Sequence, residues 1–352
     1  MPPTPEPQTA MRRQPTILDV ASQAGVSKST VSNVVRGLPG VSSATRERVR
    51  AAIDELGYRP NVLARQLVQQ RTSIIGVVVG DLGNPFFAEM AKSVERYAAA
   101  RGYTAMFCNT GGDSQSEVAG VETLLEYRVA GIVFLAFSGD SRTMQETLEH
   151  QVPVVFVSCS AAWGDVVTAD DNRGAQLGTN HLIAAGHKKI AYLSIPELED
   201  QSATARYEGY VEALRAANLG PPTRISWSPP SDHADVGPAV RCRLVDLFSG
   251  SKRSTAVFAS NDVAAISLQE FADRVNLRVP QDLSIVGFDD VPMAGLARIG
   301  LTTIAQPRDE LAKLGIDTVA DRIERKLKGP SRTTLVDVSL VARRSTAAPS
   351  GR

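Results

Sequence analysis

Cysteine and histidine are scarce in this sequence. The chain of 352 residues holds three cysteines, which are far apart and odd in number, and four histidines. Such scattered cysteines provide neither a disulfide framework nor a zinc-binding spacing, so we expect buried, reduced thiols. The sequence also lacks the GxSxG, HExxH, SxxK and glycine-rich phosphate-loop motifs. We therefore expect no enzyme, no metal site and no cofactor.

Long apolar runs are also lacking. No run approaches the roughly 20 residues that a membrane-spanning helix needs. Residues 1–14 are polar and proline-rich, without the apolar core of a signal peptide. These features predict a disordered N-terminal tail and a cytoplasmic protein with no membrane partner. Hydrophobic residues nevertheless make up 43% of the chain, enough to build two or three globular units.

The net charge of zero hides an uneven distribution along the chain. Residues 11–71 carry ten lysines and arginines against four acidic residues, a net charge of +6. The remainder of the chain is mildly acidic. A small basic head on an acidic body is typical of a polyanion-binding module attached to a sensor domain.

Three short helical patterns follow one another between residues 15 and 59. The first has Thr16 as its N-cap and shows the i, i+3, i+4, i+7 spacing at Ile17, Val20, Ala21 and Ala24. Gly25 permits a tight turn, and Ser27 caps a second helix that runs from Lys28 to Arg36. Helix, short turn and helix form a helix-turn-helix arrangement. Periodicity alone is equally compatible with an ordinary small helical bundle.

The second helix leaves polar side chains on its outer side, namely Lys28, Ser29, Thr30, Ser32 and Asn33. Asn can form two hydrogen bonds to adenine, and Lys can donate to guanine. Lys28, Ser29 and Asn33 lie about one turn apart and could reach base edges together. Thr30 and Ser32 suit phosphate contacts, which position a protein without reading sequence. We assign these residues, together with Thr16, to a DNA-binding surface.

A family resemblance strengthens this interpretation. The run TILDVASQAGVSKSTVSNVVRG, from Thr16 to Gly37, and the run VSSATRERV, from Val41 to Val49, closely resemble the headpiece of the LacI/GalR family of bacterial regulators. The resemblance implies a helix-turn-helix DNA-binding headpiece over residues 15–59. It also implies that Lys28, Ser29 and Asn33 read the major groove. Because these identities vary within the family, the operator sequence does not follow.

Residues 60–71 form a linker with a short apolar segment that Asn61 can cap. A helix this short is marginal in water, so we expect it to form only when something else holds it. The segment resembles the family's hinge helix, which implies that Ala64 and Leu67 enter the minor groove and that Leu67 wedges between base pairs. The alternative is that Leu63 and Leu67 pack on the body of the protein.

From residue 72 onward, buried strand patterns alternate with amphipathic helices, which is typical of parallel sheets. The series begins again after Asp170, so we expect two lobes with a ligand cleft at the carboxyl ends of the strands. Stretches such as NPFF at 84–87 and VPQDLSIVGFDD at 279–290 resemble the family's core.

The resemblance implies an α/β periplasmic-binding-protein-like core of two parallel-sheet lobes over residues 72–345, behind the small all-α helix-turn-helix headpiece. It also implies that the chain crosses between the lobes three times. We therefore expect the first lobe at residues 72–169 and 301–330, and the second at 170–300 and 331–345.

In the family, the positions matching Arg206, Asn261 and Asp289 hydrogen-bond the effector. Arg offers a fork of donors and Asp a pure acceptor, and neighbouring sugar hydroxyls need both. Four further ligand candidates lie near the expected cleft: Asp81, Phe86, Phe87 and Ser202. The aromatic pair suits a sugar and a purine alike. Two alternatives stay open, since Asp289 could cap the following segment and Phe87 could belong to the core.

The chain departs from the family's pattern at two places. Ser158-Cys159-Ser160 stands where many sugar-binding relatives carry an acid or base, which weakens the case for a simple hexose. Asp200 stands where the purine branch has Arg, which argues against a purine. We therefore expect a sugar or sugar derivative as the small-molecule effector.

The whole pattern predicts a sequence-specific DNA-binding transcriptional repressor under allosteric control by that effector. Its partners would be a double-stranded, pseudo-palindromic operator and a second copy of the chain. Residues 345–352 lack the leucine heptads that would make tetramers, so a homodimer is expected. The alternative keeps the DNA-binding role but replaces the sugar with a non-sugar metabolite or a partner protein. Whether the effector releases or promotes DNA binding does not follow from the sequence.

Overall fold

The computed structural model describes residues 15–59, 72–137, 141–148, 151–195, 201–226, 247–248 and 253–350. These residues fall into two compact units, which divide between Thr72 and Ser73. The tail over residues 1–14 and the linker residues Asn61, Ala64 and Leu67 lie outside the described residues, as does Asp200.

The described part of the first unit contains three helices, α1 (Ile17–Ala24), α2 (Lys28–Val35) and α3 (Ser43–Leu56). The caps Thr16, Ser27 and Ser42 each accept a hydrogen bond from the backbone N–H three residues further on. Inward-facing side chains from all three helices form one small core, which includes Val20, Val31, Val34 and Val49. The helix-turn-helix prediction is confirmed, because the apolar spacing and the caps act locally.

The first lobe of the second unit is a six-stranded sheet that is parallel throughout. Its spatial order is β11-β5-β4-β3-β1-β2. The strands are β1 (Ile74–Val79), β2 (Thr104–Asn109), β3 (Gly131–Phe134), β4 (Val154–Val157), β5 (Asp165–Ala169) and β11 (Thr333–Val336). Its helices are α4 (Pro85–Ala100), α5 (Ser114–Glu126), α6 (Ser141–Leu148) and α10 (Arg308–Ile323).

The second lobe is also a six-stranded sheet, with the order β12-β10-β9-β8-β6-β7. Its strands are β6 (Ile190–Ser194), β7 (Thr223–Ser226), β8 (Ala256–Ala259), β9 (Ser284–Asp289), β10 (Thr302–Ala305) and β12 (Ser339–Val341). Among its described residues the helices are α7 (Asp171–Ala184), α8 (Gln201–Ala216) and α9 (Asp262–Arg274), followed by a 3-10 turn at Pro292–Gly295. The edge strand β12 runs antiparallel to β10, an exception to the parallel sheet that we expected.

The central strands β1, β3, β4 and β9 are buried on both faces, which explains their largely apolar sequence. Side chains alternate between the faces, so Val155 and Val157 join one core and Val154 and Phe156 another. Close packing also needs a small residue on α7. A Cβ atom at Gly174 would lie 2.7 Å from the Phe288 ring, so the glycine lets this helix approach the end of β9.

The expected lobe boundaries were wrong for two short segments. β10 remains in the second sheet, paired in parallel with β9, and the chain crosses to the first lobe only between β10 and α10. β11 pairs with β5 of the first sheet, and the chain returns to the second lobe at β12. A strand of four residues would show the same sequence pattern in either sheet. The sequence therefore does not tell which sheet the strand joins, and only its hydrogen-bonded partner strand does. Within the described part of the chain, no helix is long and apolar enough to cross a membrane.

Candidate functional site

Helix α2 presents the polar side chains that we assigned to DNA binding. Lys28 and Ser29 are exposed at its first turn, and Thr30, Ser32 and Asn33 are half-buried along it. The first turn carries no acidic residue, so the positive end of the helix is open to a phosphate. Thr16 lies at the start of α1, where its hydroxyl donates to Asp19 at 2.7 Å.

Arg206 is the centre of a buried polar cluster in the second lobe. Its Nε donates to Asp171 Oδ1 at 2.7 Å, and its Nη1 donates to the Ser260 carbonyl oxygen, also at 2.7 Å. The guanidinium carbon lies 3.8 Å from the centre of the Phe288 ring, a cation–π contact. The side chain is only 12% exposed, so packing and hydrogen bonds hold the guanidinium in one orientation.

Asp289, the last residue of β9, lies beside this guanidinium. Its Oδ1 is 3.8 Å from Arg206 Nη1 and accepts a hydrogen bond of 2.7 Å from Gln306 Nε2. The residue is 3% exposed, and its φ of 119° is one that side-chain-bearing residues rarely adopt. Burial raises the pKa of Asp289, and the nearby Arg206 cation opposes that rise. The carboxylate serves as an acceptor here and does not cap the following turn, whose cap makes no side-chain bond.

A second buried carboxylate supports the loop that follows Asp289. Asp262 is fully buried, and it accepts hydrogen bonds from the Thr303 hydroxyl and from the Val291 backbone N–H. Burial, and after it the negative charge of Asp289, raise the pKa of Asp262. Its neighbour Asn261 caps α9 by accepting from the Ala264 N–H at 2.8 Å.

Three of the sequence-predicted ligand residues therefore meet at the carboxyl ends of β8 and β9. Arg206 bonds the Ser260 carbonyl, which directly precedes Asn261, and lies beside Asp289. The arrangement offers a fixed cationic donor next to a buried acceptor, which is what a ligand carrying adjacent hydroxyl groups needs.

The headpiece and this cleft can now be compared with known proteins. Residues 16–61 match the model of bacterial regulatory proteins of the lacI family, and residues 179–346 match the periplasmic binding protein-like domain. The chain is 36% identical to the ribose operon repressor of Escherichia coli strain K12, over 92% of this chain and 97% of that one.

The chain belongs to the LacI family.

Solved structures agree with this membership. The structure of the Lac repressor dimer bound to operator and the anti-inducer ONPF superposes on 96% of this LacI-family chain, with 28% identity and a TM-score of 0.82. The match includes 100% of the Lac repressor chain. A LacI family regulator from Enterococcus faecium with bound ribose covers 78% of this chain and 99% of its own, at 28% identity and a TM-score of 0.68. Both predicted parts of the fold, the headpiece and the two-lobe core, are confirmed.

The first-lobe candidates occupy different environments in this family member. Asp81 is exposed after β1, where its Oδ1 accepts from the Gly83 N–H at 2.7 Å. Phe86 is 4% exposed and belongs to the apolar core of the second unit. Phe87 is half-buried and meets Phe86 edge to face, with ring centres 5.4 Å apart, so it is the partly accessible ring of the pair.

Ser202 lies where the two lobes touch. It stands on α8, one turn before Arg206, and its hydroxyl donates to the Ser158 carbonyl oxygen of the first lobe at 3.5 Å. The adjacent Gln201 accepts a hydrogen bond from Ser160. These contacts put the Ser158-Cys159-Ser160 segment, where the chain departs from the family's pattern, against the helix that carries Arg206.

Sequence reasoning missed several residues of the cluster. Gln306 directly follows the carboxyl end of β10, and that position could have identified it, since ligand sites of such sheets form there. Asp171, Phe288 and Asp262 carry no local signal, because they meet Arg206 and Asp289 through tertiary contacts.

Proposed function

We propose that this LacI-family chain is a homodimeric, sequence-specific DNA-binding repressor whose affinity for its operator is set by a small sugar bound between the two lobes. The proposal rests chiefly on the pairing of Arg206 with Asp289 at 3.8 Å, with both side chains largely buried. Operator binding would place the protein in the bacterial cytoplasm, and this role requires no catalysis.

The charges of the cleft favour a neutral ligand. The Arg206 guanidinium already has two carboxylates within 4 Å, those of Asp171 and Asp289. An anionic ligand such as a sugar phosphate would have to compete with these two carboxylates for the same cation in a poorly screened site. Neutral hydroxyl groups avoid that competition, since one hydroxyl can accept from an arginine and donate to an aspartate.

Ribose is the first effector to test. The relative that is 36% identical over nearly its whole length is named a ribose operon repressor, and a LacI family regulator of the same fold holds ribose. A pentose also fits the neutral Ser158-Cys159-Ser160 segment, which has no acidic or basic side chain to bind a further hydroxyl group.

The DNA-binding half of the proposal rests on the headpiece. Lys28, Ser29 and Asn33 stand on the accessible side of α2, within a matched lacI-family headpiece. Thr16, Thr30 and Ser32 would contact phosphates. We assign Asn61, Ala64 and Leu67 to a hinge that enters the minor groove. We also expect two copies of the chain to bind one operator, as in the Lac repressor dimer bound to operator.

Two linked measurements test this function. Fragments of the source genome are selected by the purified protein at fixed salt, because affinities for DNA depend strongly on salt. We expect one short pseudo-palindrome. Sugars and nucleobases are then titrated calorimetrically, with ribose first. Recovery of only sequence-indifferent fragments, with and without sugars, would refute the operator-binding role, and binding of a nucleobase alone would refute the sugar.

A further inference from the structure

Two consecutive residues after β9 have unusual backbone angles. Asp289 has a φ of 119° and Asp290 a φ of 53°, although neither is a glycine. Such conformations persist only where surrounding contacts hold them, and they gather at ligand clamps and switch segments. The hydrogen bonds of their carbonyl oxygens show which contacts hold this pair in place.

Arg308 donates these hydrogen bonds. Its Nη1 donates to the Asp289 carbonyl oxygen and to the Asp290 carbonyl oxygen, each at 2.7 Å. One guanidinium nitrogen thus binds both strained peptides, one of which belongs to the residue whose carboxylate lies beside Arg206.

Arg308 belongs to the other lobe. It is the first residue of α10, which packs on α4 and on strands β3, β4 and β5 of the first sheet. The fit between this helix and the sheet is tight, since a side chain at Gly315 would collide with Val157 of β4. The Arg308 side chain is therefore a link between a well-packed helix of the first lobe and the ligand loop of the second.

A comparison with Arg343 shows what is particular about this link. Arg343 also holds the loop, through its Nη2 to Asp290 Oδ1 at 2.6 Å, but it follows β12 and so belongs to the same sheet as the loop. Gln306, which binds the Asp289 carboxylate, likewise directly follows a strand of that sheet. Arg308 is the residue of the three that lies on a helix of the first lobe.

We propose that Arg308 is a positioning residue that couples effector occupancy at Asp289 to helix α10 of the first lobe. The proposal rests on the proposed function, since it requires an effector in this cleft. An effector that changes the hydrogen bonding of Asp289 shifts the peptide that Arg308 holds, and α10 follows. The first lobe contains β1, which comes directly after the linker in the chain, so a shift of this lobe acts on the chain that leads to the DNA-binding part.

The test separates coupling from binding. The wild type, Arg308→Met and Arg308→Lys are compared in two measurements. Fluorescence anisotropy gives the operator affinity without and with saturating D-ribose, and calorimetry gives the D-ribose affinity. We expect the wild-type operator Kd to change about 10-fold or more, within the usual range of allosteric coupling. Arg308→Met should bind the operator alone within about 3-fold of wild type, yet respond to ribose by less than about 2-fold. Arg308→Lys should recover part of the response, because an ammonium group can donate to both carbonyls.

The control is Arg96→Ala, which breaks an exposed ion pair of 2.6 Å with Asp309, the next residue of α10, without touching the ligand loop. It should keep the full response. A full response in Arg308→Met would overturn the coupling role. Loss of ribose binding in this variant would also overturn it, because Arg308 would then be a binding residue. Thermal unfolding shows whether the variant is folded, and if Arg308→Met is not, Arg308→Gln replaces it. A wild type that responds to no sugar would instead refute the proposed function.

Discussion

The guanidinium of Arg206 lies 3.8 Å from the centre of the Phe288 ring and donates to both Asp171 and the Ser260 carbonyl. Phe288 and Asp289 are consecutive residues at the end of β9, and the side chains of both lie beside this guanidinium. The φ of 119° at Asp289 departs from extended strand geometry, so the usual alternation of side chains between faces does not hold there. The strand thus supports the cation with one residue and places an acceptor beside it with the next. Because the site is built from helices α7 and α8, the end of β8 and strand β9, its geometry depends on how these elements of the second lobe pack together.

Replacement of Arg206 should abolish the effector response. Arg206→Ala removes a hydrogen-bonded charge from a buried site, which typically costs 2 kcal/mol or more, so we expect ribose affinity to fall about 30-fold or further. Operator affinity without the sugar should remain near that of the wild type. Arg274→Ala, which removes an exposed arginine on α9, is the control. Equal loss of ribose and operator binding would point to misfolding. Arg206→Lys, which keeps the positive charge, would help to separate misfolding from the loss of a binding residue.

Effector affinity should fall in weakly acidic solution. Burial raises the pKa of Asp289, so a proton competes with the ligand hydroxyl for this carboxylate at a pH where an exposed aspartate is still ionised. Because the ligand needs the ionised acceptor, its affinity is highest at neutral pH and decreases as the pH falls towards 5. Calorimetric titrations across this range measure the effect. Asp289→Asn should bind weakly with little pH dependence, and a pH-independent wild type would contradict the assigned role.

Asn33 should determine operator specificity. The Asn33→Ala substitution removes the amide that can pair with adenine, and one such contact is worth about 1–3 kcal/mol of discrimination. We expect the ratio of specific to non-specific DNA affinity to drop about 10-fold or more, whereas non-specific affinity persists. Competition binding at constant salt measures the ratio. Ser22→Ala, at an exposed position of α1, should leave it unchanged.

A buried ion pair should stabilise the first lobe where α10 leads into β11. Arg322 of α10 contacts both carboxylate oxygens of Asp165 at 2.8 Å and also donates to the carbonyls of Gly329 and Pro330. Removal of one partner leaves an uncompensated buried charge, so Arg322→Ala should lower the free energy of unfolding by about 3–5 kcal/mol. Urea denaturation tests this value. Lys313→Ala, which breaks a more exposed pair on the same helix, should have little effect.

The headpiece could be predicted almost completely from local sequence. Apolar spacing within α1, α2 and α3 and the hydroxyl caps at Thr16, Ser27 and Ser42 depend only on residues three or four positions apart. The identity of three effector residues, Arg206, Asn261 and Asp289, came from their family positions, and the structure places them together. Their roles in binding remain predictions.

Distant contacts account for what the sequence left undetermined. The lobes of residues 302–305 and 333–336 were misassigned because backbone hydrogen bonds to β9 and to β5, which no local pattern encodes, decide the pairing of these short segments. The bond from Arg308 to the Asp289 and Asp290 carbonyls likewise spans the two lobes. Spacing and capping are local properties and can be read along the chain, whereas strand partners, the charge environment of Asp289 and the link between the lobes arise only when separate segments pack against each other.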